Sequence, residues 1–163
     1  MKYATLSKSL VLAAIIAVAA IPGFAATTGT IGLTATMAEN TAVTVTNVTA
    51  VTLGTVITNQ QVASVNELSN KFGGYTLTMT SANSGKLVAA GITDTVTYSL
   101  TYGATSGSAT AVTYVGGTAT LSTPATKSTS ISGVTNNMYI SIPGTWYSAG
   151  TYTDTLTLTI LGK

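Results

Sequence analysis

The sequence of 163 residues contains no cysteine and no histidine, and only 6% of it is charged. Each absence removes a class of chemistry. A Ser-His-Asp or Cys-His nucleophile, a thiolate redox pair and a zinc site of Cys or His ligands all need side chains that are missing. The acidic residues are Glu39, Glu67, Asp94 and Asp154, spaced widely, so a calcium site or a paired-carboxylate acid–base would have to be assembled by folding. We therefore expect no enzyme, no cofactor and no bound metal. Asp94 and Asp154 precede strand-like runs, where a short carboxylate most often bonds local backbone groups.

The net charge of +2 is carried by the start of the chain. Lys2 and Lys8 precede an apolar run from Leu10 to Ile21, which closes with Pro22-Gly23-Phe24-Ala25. This is the layout of a secretory signal peptide, read as residues 1–25, and the run is too short to cross a membrane. The remainder holds Lys71, Lys86, Lys127 and Lys163 against four acids and is formally neutral. No footprint for nucleic acid or anionic lipid is present. No apolar C-terminal tail or lipidation cysteine follows, so no membrane insertion is expected after cleavage. A secreted domain without disulfides must draw its stability from packing, from complete backbone pairing or from a partner.

Threonine makes up roughly a fifth of the residues, far above ordinary usage, and alternates with Val, Leu, Ile, Met and Tyr. Period two with β-branched residues predicts strands. Val96, Tyr98, Leu100 and Tyr102 share one face of such a run, Tyr75, Leu77 and Met79 another, and Leu156, Leu158 and Ile160 a third. Turn signals recur at Gly73-Gly74, Asn83-Ser84-Gly85, Gly116-Gly117, Asn136-Asn137 and Pro143-Gly144. The reading is all-β, an antiparallel β-sandwich with strands over 29–37, 42–48, 50–58, 62–69, 74–82, 93–102, 110–115, 128–134, 137–142 and 151–161. Trp146 and Tyr147 fall in a loop after Pro143-Gly144. An aromatic pair there either packs over the end of the sandwich, the commoner case, or contacts a sugar ring or surface.

Residues 26–38 form a separate segment in front of a domain spanning 39–163. Gly29, Ile31, Leu33, Ala35 and Met37 lie on one face and mainly threonine on the other. Termini are loose unless tied into a sheet. This strand either closes its own sandwich or adds to the open edge of a neighbour, as in β-augmentation.

Four segments carry a resemblance. Ala149-Gly150-Thr151-Tyr152-Thr153-Asp154-Thr155-Leu156-Thr157-Leu158-Thr159-Ile160 resembles the closing strand of chaperone–usher pilins, particularly the spore-coat-protein-U-like (Csu-type, archaic) subunits. Thr52-Leu53-Gly54-Thr55-Val56 is similar to a strand near that family's start, Gly74 to Asn83 to its central strand, and Tyr139-Ile140-Ser141-Ile142-Pro143 to its penultimate strand. The family's usual early disulfide has no counterpart here, a constraint that related alpha-type fimbrial subunits lack.

The resemblance implies an immunoglobulin-like sandwich that is incomplete and is completed by a donor strand from a neighbouring subunit. It implies a structural fimbrial shaft subunit, exported through the periplasm to the cell surface for attachment or biofilm formation. Its partners would be other copies or related pilin subunits, a periplasmic chaperone and an outer-membrane usher. Gly29, Ile31, Leu33, Ala35 and Met37 would be the donor strand. Tyr152, Leu156, Leu158 and Ile160 would be core residues of the closing strand and the ones a chaperone pairs with. The alternative is a self-contained secreted sandwich that binds carbohydrate or matrix, with Trp146 and Tyr147 as the contact. A lysine–asparagine isopeptide bond from Lys71, Lys86 or Lys127, catalysed by Glu67, is marked by no motif.

Overall fold

A computed structural model describes residues 32–128 and 130–163. The strands are β1 (Thr41–Thr46), β2 (Ile57–Ser69), β3 (Tyr75–Ser81), β4 (Lys86–Val88), β5 (Thr95–Thr97), β6 (Ser99–Gly103), β7 (Thr110–Ala111), β8 (Thr118–Ser122), β9 (Val134–Ile142) and β10 (Leu156–Gly162). All pairing is antiparallel, and no helix occurs among the described residues. One sheet runs in the order β1-β2-β9-β6-β7, a second β10-β3-β8, and β4 pairs with β5. The strands all lie in the unit Met37–Lys163.

Alternation sets the core. Val65 of β2, Leu100 and Tyr102 of β6, and Met138, Ile140 and Ile142 of β9 point from the first sheet into one cluster with Leu77 and Met79 of β3. Successive residues face opposite sides of a strand, so the intervening threonines and serines take the outer face. The two sheets therefore pack face to face through a single core, the arrangement of a sandwich.

Several expected boundaries move. The 93–102 run is two strands, because the chain leaves β4 as partner at Tyr98 and continues along β9. Its four apolar residues are all buried, as alternation predicts. The expected strand 50–58 is a loop up to β2, with Gly54 at φ +110° breaking the run. β2 absorbs Ile57 to Gln61 instead, at the cost of register shifts around Asn59, whose φ is +47°. Residues 128–133 hold no described strand, and Gly133 turns the chain into β9 at φ +81°. Asn136 and Asn137, expected in a turn, lie inside β9. Their carboxamides are spent on cross-strand bonds to Glu67, Ser64, Gln61 and Ala104, which offsets their poor strand propensity. β4 and β8 are additional to the expected set.

Candidate functional site

β10 is an outer strand of its sheet, and among the described residues it pairs with β3 alone. The N–H of Lys163 donates to Gly74 C=O and the N–H of Ala82 to Thr155 C=O. A strand residue directs its N–H and C=O to one lateral side, and neighbours direct theirs to opposite sides. The odd-numbered residues of β10 therefore face β3. The even-numbered residues, Leu156, Leu158 and Ile160, turn their main-chain groups to the other side.

The same three side chains point at the core but stop half-buried, whereas Leu77 and Met79 across the ladder are completely enclosed. The core is thinly covered along this edge. β1 is the corresponding outer strand of the facing sheet, with Val43 half-buried and Val45 41% exposed. β1 packs against the end of β10, where a Cβ on Gly162 would sit 3.1 Å from Thr41 Oγ1, and beyond the far end of β1 lies an open groove of about 630 Å³, lined by Val51, Leu53, Leu87, Leu100, Tyr152 and Leu156 among others. Val51 and Leu53 lie within the expected strand 50–58. Their role in lining a groove was not legible, because they sit in a loop.

The closing-strand residues thus separate. Leu156, Leu158 and Ile160 share the inward face of β10. Tyr152 falls outside that strand, which begins four residues later, because at Thr153 the backbone bonds Val88 of β4 and not β3. Asp154 Oδ1 accepts from the N–H groups of Asn83 (3.0 Å) and Thr155 (2.8 Å), and Oδ2 from the hydroxyls of Ser81 (2.6 Å) and Tyr98 (2.5 Å). Asp94 accepts from the N–H (2.9 Å) and hydroxyl (2.6 Å) of Ser148, which hold its carboxyl below the usual carboxylate range. The expected bonding to local backbone groups is met only by Thr155 N–H; the other partners of both acids are distant in sequence, so each carboxylate ties together segments that meet only on folding.

Of the donor-strand residues, Gly29 and Ile31 lie outside the described residues, as does the segment read as a signal peptide. Residues 32–40 carry no strand, and Leu33 and Met37 are 83% and 84% exposed. Ala35 is also exposed. The aromatic pair divides. Tyr147 is half-buried against the core and meets Tyr152 at a ring separation of 6.1 Å, tilted 57°. Trp146 is 95% exposed, contrary to the commoner packing.

Glu67 is fully buried and accepts from Tyr102 (2.5 Å) and Asn136 (2.8 Å). Lys71 pairs with Glu39 at 2.8 Å, and Lys86 and Lys127 are exposed, so the isopeptide arrangement does not form among the described residues. No cluster of three metal-ligating side chains occurs among the described residues. No family model and no curated protein matches the chain.

Proposed function

We propose that this chain is a structural shaft subunit of a surface fimbrium, polymerised by donor-strand complementation. The observation that carries this reading is the outer side of β10. Half-buried Leu156, Leu158 and Ile160 there turn their main-chain groups away from β3, and Leu156 also lines an apolar groove. An open edge of this kind is a template for another strand. In this reading the fold is an immunoglobulin-like sandwich short of one strand, and the segment 29–37 of a neighbouring copy or related subunit supplies it.

The alternation of that segment suits the task. Ile31, Leu33 and Met37 would face the core, each contributing about 1.5 to 3 kcal/mol on burial. Main-chain bonds to β10 add about 1 kcal/mol net each. A contact on the order of 10 kcal/mol before ordering costs results. Before assembly the same edge would be covered by a periplasmic chaperone, paired with Leu156, Leu158 and Ile160 and flanked by Tyr152, and an outer-membrane usher would exchange it. The product would stand on the cell surface and serve attachment or biofilm formation.

The test is electrophoresis of surface-sheared material, with and without boiling in detergent, probed for this chain. A ladder of multiples that collapses to one band on heating is expected. A single band in both lanes overturns the reading. One observation favours a second reading, a self-contained sandwich that binds carbohydrate: Trp146 is freely exposed beside Tyr147 and Tyr152. Loss of sugar binding in Trp146→Ala, with no ladder in the parent, would identify it.

A further inference from the structure

The register of the strands gives the sandwich two ends. Thr41 opposes Ser69, Glu67 opposes Val134 and Tyr75 opposes Gly162, so these pairs mark one end. A Cβ on Gly162 would sit 3.1 Å from Thr41 Oγ1, which puts the same end of both sheets side by side. Ile57 with Ile142 and Leu156 with Ser81 mark the other end. Exposed apolar side chains gather at both. Phe72 and Ile131 stand in loops of the first end, and Val48, Val56 and Trp146 in loops of the second. Apolar groups collected into a patch mark an interaction surface, whereas single ones do not.

At the first end the patch is concave. An open groove of about 710 Å³ is lined by Met37, Asn40, Leu68, Lys127, Ser128 and Ile131 among others. Both of its walls are anchored to the end of β2. Asn70 Nδ2 donates to Ala38 C=O at 2.7 Å, and its Oδ1 accepts from Asn40 N–H at 2.8 Å, so one carboxamide prolongs the β1–β2 ladder. Ser128 N–H donates to Ser69 C=O at 2.8 Å, and Ser128 Oγ accepts from Ser69 N–H at 2.9 Å. The groove is therefore preformed. Ile131 on it is 97% exposed. Glu39 in the same lining pairs with Lys71, so Lys127 sets the sign of the charge.

The second end presents the complement. Trp146, the single tryptophan of the chain, is 95% exposed in the connection between β9 and β10. Asp94 stands against the same loop, bonded to Ser148, and is opposite in sign to Lys127. Under the donor-strand reading, the segment before β1 joins the sandwich at the first end, at Met37, which begins the unit that holds the strands. The apolar groove beside Leu156 and Tyr152 that would receive a neighbour's segment lies at the second end. A segment rooted at the first end of one copy and seated at the second end of the next draws those two ends together. Such a contact is head-to-tail, so it repeats along an open chain instead of closing a pair. The tether raises the effective concentration into the millimolar range, and a contact too weak to join two free copies is then occupied.

We propose that the groove lined by Leu68, Lys127 and Ile131 is an interaction surface for a second copy of this chain and takes the indole of that copy's Trp146. Leu68 and Ile131 supply apolar cover, Ser128 a hydroxyl for the indole N–H, and Lys127 the charge opposite Asp94. This rests on the donor-strand reading above. The donor strand would hold successive copies together, and the end contact would set the angle between them.

The single tryptophan makes the test direct. Filaments of the full chain are sheared from cells, their heat-sensitive ladder is recorded, and quenching of tryptophan emission by acrylamide is compared with that of N-acetyltryptophanamide. Three forms are measured: the parent, Ile131→Asp and Ile131→Ala. Ile131 is exposed, so neither substitution disturbs the core of a subunit. Parent filaments are expected to emit toward the blue and to be quenched several-fold less than the free indole. Ile131→Asp is expected to keep the ladder and to restore quenching to nearly the free value. Ile131→Ala should lie between the two, and it decides the matter where the aspartate prevents assembly. A parent ladder in which Trp146 is quenched as readily as the free indole overturns the end contact and leaves the donor-strand reading standing. Protection that is unchanged in both variants puts Trp146 on another surface and overturns the role of the groove. A parent without a ladder overturns both readings.

Discussion

The hydroxyl of Tyr102 donates a 2.5 Å hydrogen bond to Oε1 of Glu67, which is completely buried. The Nδ2 of Asn136 donates to the same oxygen at 2.8 Å. One carboxylate therefore joins β6, β2 and β9 on the side of the sheet that faces the core. Glu67→Ala leaves one buried donor, on Tyr102, and one half-buried donor, on Asn136, without an acceptor and is expected to cost about 3 kcal/mol, while Tyr102→Phe costs about 2 kcal/mol. Glu67→Gln keeps an acceptor oxygen and should cost less than the alanine. Denaturant unfolding of the three variants checks the order.

The tyrosines predict the response to alkali. Burial first, and then the hydrogen bond to a carboxylate, push Tyr98 (to Asp154) and Tyr102 (to Glu67) well above the ordinary tyrosine value of 10.0. The folded state therefore keeps both phenols neutral where the unfolded chain ionises them. Their contribution is full below pH 10 and is lost as pH rises beyond it. Stability followed by circular dichroism should be flat through neutral pH and fall above about pH 10. Tyr102→Phe should make that fall shallower.

Asp154 gathers four donors from three loops and strand ends, which ties the approach to β10 to the end of β3. Asp154→Ala is expected to destabilise by about 3 kcal/mol and to loosen hydrogen-exchange protection at the start of β10. Asp154→Asn retains one carboxamide oxygen and should lie between.

Leu33 is exposed, so Leu33→Asp should change the stability of a subunit by no more than about 0.5 kcal/mol. If the segment is a donor strand, the same change buries a charge in a neighbour's core and removes the heat-sensitive ladder. Under the same reading Leu158→Asp, on the outer strand β10, should remove it as well. A ladder that survives both substitutions would count against strand exchange along β10.

Gly74 stands at φ +81°, and a Cβ there would lie 2.0 Å from Pro124 C=O. Gly74→Ala combines left-handed strain with a backbone collision, and a loss of more than about 2 kcal/mol is expected in thermal unfolding.

The alternation of threonine with Val, Leu, Ile and Tyr was sufficient to define the class of fold and most of the core. Period two decides which face of a strand is apolar without knowledge of its partner, and Leu77, Met79, Val96, Leu100 and Ile140 are buried accordingly. The absence of Cys and His was equally a property of the sequence alone. Partnership was not legible there. Nothing local distinguishes Leu158, on an outer strand, from Leu77, on a central one, since both alternate with threonine; only the order β10-β3-β8 makes the difference. Nor did Asn136 and Asn137 reveal that they belong to a strand, or Asn70 that its carboxamide prolongs a ladder, because side-chain bonds to residues thirty or more positions away override local propensity. Composition and period settled what is apolar and extended. The tertiary structure decided which backbone groups find partners, because pairing depends on neighbours that the chain brings together only by folding.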